Sequence, residues 1–99
     1  MPASKPYAFH PEAWREMEGA DNWYRERSPD ASVRFLEAVY DALESIAQGP
    51  RRGPKYLHGT RRFLLYRFPF SIVYLDGADL RIVAVVHHKR KPGYWRDRI

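Results

Sequence analysis

Apolar and polar positions follow two different periods along this chain, and one gives way to the other near its middle. From Pro11 to Gln48 the apolar residues recur at three- and four-residue steps, as on a helix with one buried face. In PEAWREMEGADNWYRER (Pro11–Arg27) the stripe is Ala13, Met17, Ala20 and Tyr24, flanked by Trp14 and Trp23, and it reads as core packing. Pro11 suits the first turn, Glu12 complements the helix dipole, and His10 offers a weak cap. Gly19 interrupts the pattern and predicts a bend or a close contact. A second helix follows, with Ser28 as N-cap, Pro29 at its first position and Asp30 beside it. Its expected buried face is Leu36, Val39, Tyr40, Leu43, Ile46 and Ala47, with Glu37, Asp41 and Glu44 towards solvent. Gly49-Pro50 ends it, Gly49 being expected in the left-handed conformation. A connection of about three residues makes the two helices an antiparallel hairpin.

After Pro50 the stretch PRRGPKYLHGT reads as loop, and the period then shortens to that of strands. Arg61–Phe68 (RRFLLYRF), Phe70–Leu75 (FSIVYL) and Leu80–Val86 (LRIVAVV) are the three signals. Pro69 serves the first connection and Asp76-Gly77-Ala78-Asp79 the second. Ahead of the helices, Tyr7 and Phe9 alternate within Lys5–His10, and Pro6 assigns that short strand to an edge or a first position. The order β-α-α-β-β-β predicts an α+β fold: one domain over residues 1–99, a helical hairpin packed on an antiparallel sheet, and a short C-terminal tail.

Composition narrows the picture. Ninety-nine residues bury roughly 65% of the unfolded surface, enough for one core. No cysteine is present, so disulfides and thiolate metal sites are excluded, in keeping with a cytoplasmic location. MPASKPYAF lacks the apolar core of a signal peptide, and no apolar run approaches the ~20 residues that span a bilayer, so no membrane partner is expected. Charge is uneven: residues 1–50 carry five Lys/Arg and nine Asp/Glu, whereas residues 51–99 carry twelve and three. The second half is thus net +9, which suits a polyanionic or acidic partner; basic strand faces also keep a sheet soluble, and both readings stay open.

The candidate working end is LRIVAVVHHKRKPGYW (Leu80–Trp95). Its β-branched run reads as a strand buried on both faces. His87, His88, Lys89, Arg90 and Lys91 then place two imidazoles and three cations where the strand meets water, with Tyr94 and Trp95 just beyond Pro92-Gly93. Cleavage of RNA needs a base, cations for the phosphate and an acid, and His87 or His88, Lys89, Arg90 and Tyr94 supply those types. Tyr94 and Trp95 could also stack on a base. For Trp95, anchoring the tail on the core ranks ahead of such a role. A metal site finds no support: adjacent His87 and His88 point to opposite faces, and His10 and His58 stand apart. HExxH, a Gly-rich phosphate loop and GxSxG are all missing, so neither metal nor cofactor is expected.

Four stretches carry a family resemblance: AWREMEGADNWY (Ala13–Tyr24), FLEAVYDALESIAQGP (Phe35–Pro50), GTRRFLLYRFPFSIVY (Gly59–Tyr74) and IVAVVHHKRKPGYWRDR (Ile82–Arg98). In this order the chain resembles, from about Tyr7 to Arg98, the RelE/ParE superfamily of bacterial type II toxins, also known as plasmid stabilisation proteins. The resemblance implies a toxin neutralised by a cognate antitoxin that wraps it with a helical and extended segment. RelE-like members cut messenger RNA on the ribosome; ParE-like members poison DNA gyrase. The nuclease branch usually has an arginine early in the middle strand of the meander, where this chain has Ser71, and a second cation where it has Leu64. The terminal basic pair is kept as Lys89-Arg90, while Tyr94 lies closer to it than the nuclease tyrosine does. The departures favour the ParE-like branch, with gyrase as target and His88, Lys89, Arg90, Lys91 and Tyr94 as contacts. The alternative is a ribosome-dependent endoribonuclease using Arg62, His87, His88, Lys89, Arg90 and Tyr94. A non-toxic basic nucleic-acid-binding module ranks third.

Overall fold

The structure is a computed structural model that describes residues 5–99. Met1–Ser4, part of the stretch read as lacking a signal-peptide core, lie outside the described residues. Strand β1 (Tyr7–Phe9) leads into α1 (Pro11–Arg27), whose first turn is capped by His10: its Nδ1 accepts from the Glu12 N–H at 3.1 Å. One residue, Ser28, separates α1 from α2 (Pro29–Gln48), fewer than the three expected. Ser28 donates its N–H to Tyr24 O at 2.8 Å, and its Oγ accepts from the Ala31 N–H at 3.4 Å. It therefore closes one helix and opens the next. The hairpin is further fastened by Asp21, a buried carboxylate that accepts from Ser32 Oγ and from Arg25.

The α2 face that enters the core is rotated from the expected one. Phe35, Val39, Ala42, Leu43, Ile46 and Ala47 are buried, whereas Tyr40 is exposed and Leu36 lies at the margin. Phe35 stacks on Tyr24 of α1 and meets Phe70 of the sheet and Phe68 of the turn before it edge-on, so aromatic packing chose the face. Trp14 and Trp23 stay exposed. Gly19 makes no close contact, as space is open where its Cβ would lie, and α1 is continuous through it. Gly49 is not left-handed: its φ is −147°, and an added Cβ would lie 2.6 Å from Arg52 Nε. The neighbour at that point is the Arg52 side chain, which folds back to reach Ser45.

The sheet runs β1-β4-β3-β2, with β2 (Arg61–Leu64), β3 (Phe70–Asp76) and β4 (Leu80–His87) forming the antiparallel meander. β1 joins β4 in parallel, with Tyr7 opposite Leu80 and Phe9 opposite Ile82, so the sheet is antiparallel except at this edge. β2 stops at Leu64 rather than Phe68, because Arg67 takes a positive φ of 66° and the chain turns back for Leu65 N–H to reach Phe70 O at 3.0 Å. A bulge at Val73/Tyr74 lets Val83 and Ala84 face the same side.

Two apolar clusters result. Ile72, Tyr74, Leu80, Ile82 and Val85 pack under the helical hairpin. Val73, Val83 and Ala84 pack on the opposite face under Trp95, which is 1% exposed. Trp95 therefore anchors the tail, and it is why β4 is apolar on both faces.

Candidate functional site

The two-faced character of β4 carries through to its tip. On the helical side His87 sets its ring 5.0 Å from Phe70, almost perpendicular to it. A groove of about 470 Å³ opens there between α1 and the end of β4, with Gly19, Ala20, Trp23, Tyr24, Phe70 and Val85 forming much of its apolar wall. His87, Lys89, Arg90 and Tyr94 complete the lining at the basic end. On the opposite face a smaller hollow of about 110 Å³ gathers Arg62, Ser71, His88, Arg90 and Trp95. The two rings turn apart as expected, His87 to Phe70 and His88 to Ser71, although His87 borders the smaller hollow as well.

His88 is exposed, with its Nε2 2.9 Å from Ser71 Oγ. Ser71 itself is buried at 1% exposure, so its hydroxyl orients the imidazole and cannot meet a substrate directly. Arg62 lies over the ring of Tyr56, with Cζ 4.4 Å from the centroid. Lys89, Arg90 and Lys91 are exposed, and Lys91 lines neither hollow. The structure thus brings Arg62 and His88 to one hollow and Lys89 and Tyr94 to the other, with His87 and Arg90 bordering both. Among the described residues, no three His, Cys, Asp or Glu side chains come together as a metal site.

The residue that organises the tip is one the sequence reading passed over. Glu16 Oε1 accepts from the Val85 N–H at 3.1 Å and from Arg98 Nη1 at 2.7 Å. Its Oε2 accepts from Arg98 Nη2 at 3.1 Å and from the Tyr94 hydroxyl. Arg98 also donates to Val83 O at 3.2 Å. β1 ends opposite Ile82, so these bonds engage backbone groups of β4 at Val83 and Val85, beyond the paired stretch. Burial, and then the hydrogen bond and charge of Glu16, hold the Tyr94 phenol well above its ordinary range. The phenol therefore stays neutral and donates. A signal was available: Glu16 falls between Ala13 and Ala20 on the inward stripe of α1, where a carboxylate needs partners.

A helical hairpin laid on one face of a four-stranded sheet, with a basic tip at the end of the central strand β4, defines the structural class. A solved structure titled "Chromosomal ParDE TA system from P. aeruginosa" shares the fold, with a TM-score of 0.72 at 16% identity, covering 85% of this chain and 96% of that one. No curated protein sequence matches the chain. Residues 7–92 match the family described as "ParE toxin of type II toxin-antitoxin system, parDE", and the chain belongs to that family. It is the ParE-like toxin component of a type II toxin–antitoxin pair.

Proposed function

We propose that this toxin acts in the cytoplasm by binding DNA gyrase through its basic tip, and that it does not cut RNA. The observation that carries this reading is Ser71. The position where a nuclease relative is expected to carry a clamping arginine holds a buried hydroxyl already engaged by His88. Arg62 and Arg90 are the cations left around that hollow, and losing one charge-stabilising group from such a site typically costs ~10²–10³-fold in rate. The tip remains well suited to binding: His88, Lys89, Arg90 and Lys91 are exposed on a turn fixed at its base by the Arg90 N–H to His87 O bond at 2.9 Å. A cognate antitoxin completes the pair, its acidic residues meeting the basic second half of the chain. β1 and β2 are the sheet edges on which an extended segment of it could add.

The test is a comparison on purified protein. Supercoiling by gyrase should be inhibited, or cleaved DNA trapped, while messenger RNA on translating ribosomes stays intact. Replacing Lys89, Arg90 and Lys91 together by alanine should abolish the effect and leave the protein folded, at a cost on the order of 1 kcal/mol that comes mainly from the Arg90–Tyr94 contact. Codon-positioned RNA cleavage that disappears in Arg90→Ala, with gyrase unaffected, would instead assign an endoribonuclease working from the hollow of Arg62, His88 and Arg90.

A further inference from the structure

We infer that Glu16 is a positioning residue for Arg90 and acts on it through Tyr94. This rests on the reading of the basic tip as the target contact. Arg90 Cζ lies 3.8 Å from the centroid of the Tyr94 ring, so an otherwise exposed guanidinium is held against an aromatic face. The far end of that ring is held as well, because the Tyr94 hydroxyl donates to Glu16. Glu16 in turn is tied to the β4 backbone at Val85, and to Arg98, which reaches the Val83 carbonyl. A line of contacts therefore starts on the rigid centre of β4, crosses to α1, and returns to the cation just beyond the end of the same strand. Each link has a physical role. The carboxylate accepts a hydrogen bond from the neutral phenol and so polarises electron density into the ring, which strengthens its attraction for Arg90. Arg98 offsets the charge of Glu16, so the tip presents a cation without a competing anion beside it. The result is a guanidinium ordered before its target arrives, and an ordered side chain loses less freedom on binding.

Two substitutions separate positioning from simple structural support. Tyr94→Phe keeps the ring and the Glu16–Arg98 pair but removes the hydroxyl, while Glu16→Gln alters the acceptor itself. In the parent protein the Arg90 side-chain resonances should be displaced upfield by the Tyr94 ring, and in both variants they should move towards free-arginine values. Inhibition of gyrase should weaken roughly 2- to 13-fold, the equivalent of re-ordering one long side chain. On an Arg90→Ala background, Tyr94→Phe should then weaken binding to gyrase no further, because its effect passes through Arg90. A structural role alone would give equal losses on both backgrounds, and that outcome overturns the inference. So would Arg90 resonances unchanged by either substitution. If Glu16→Gln fails to fold, Tyr94→Phe carries the test. If Arg90→Ala inhibits gyrase as well as the parent does, the target-contact reading fails. The resonances still decide, separately, whether Glu16 positions Arg90.

Discussion

Replacing Trp95 by alanine should destabilise the whole protein rather than blunt its activity. The indole is 1% exposed and packs on Val73, Val83 and Ala84, with the Tyr56 ring centroid 6.1 Å away and the His58 ring 5.9 Å away. A tryptophan buries ~150–250 Å², and at ~25 cal/mol per Å² its transfer is worth about 4–6 kcal/mol. Alanine retains part of that area, which agrees with the ~3–5 kcal/mol measured for such truncations. For a chain of this size each kcal/mol moves the melting temperature by about 4–8 °C, so a fall of at least ~12 °C is expected. Circular dichroism at the helical minimum reads it. Tryptophan emission gives an independent check, because Trp14 and Trp23 are exposed and Trp95 is the buried emitter. Its loss should remove the blue-shifted component. A Trp95→Ala protein that melts within a few degrees of the parent and is nonetheless inactive would refute the reasoning. It would mean that the outer-face cluster is not part of the cooperative core and that the indole serves the target.

Tyr74→Phe should cost ~1–3 kcal/mol by urea titration, because the hydroxyl donates to Pro50 O at 2.7 Å and accepts from the Gly53 N–H at 3.0 Å, and both groups lose a partner; an unchanged midpoint would count against that account. Alkaline pH should loosen the tail: the folded state raises the Tyr94 phenol above its ordinary 10.0, so it holds that proton more tightly than the unfolded chain does. This contribution is complete below pH 10.0 and is lost as the pH climbs beyond it, so Tyr94→Phe should flatten the alkaline limb of a stability-against-pH curve; identical limbs would remove the Glu16–Tyr94 bond from the explanation.

The elements were legible because their signals are local. Pro11, Ser28-Pro29 and the two helical periods mark both helices to the residue, and the β-branched runs mark β3 and β4. What escaped depends on contacts made across the chain. The face of α2 is set by Phe35 meeting Tyr24 and Phe70, which a single helix's periodicity cannot weigh against Tyr40. The site divides the same way. The tip's cations, imidazoles and Tyr94 stand together in the sequence, and period-two alternation turns the His87 and His88 rings towards different neighbours. Glu16 and Arg98 lie 82 positions apart, and nothing in either neighbourhood announces their pairing. Asp21 was likewise invisible until Ser32 was brought against it by the hairpin. Gly49 ends α2 at a negative φ instead of in the left-handed conformation, a choice that its local sequence does not reveal.

The parallel seating of β1 bears on how the chain folds. The helical hairpin closes around one connecting residue, and β3 and β4 are joined by a three-residue turn, so each half can form from contacts near in sequence. Tyr7 meets Leu80 only after more than seventy residues have been brought to order, and three residue pairs, the flanking bonds of Lys5 and His10 and the packing of Phe9 offset the entropic cost of that closure. The N-terminal strand is therefore expected to join last and to open first, at a lower free energy than the β3–β4 hairpin it borders. The shortest strand in the sheet is also the one that ties the N-terminal segment to its central strand. Whatever holds β1 in place sets how long the assembled toxin lasts between openings.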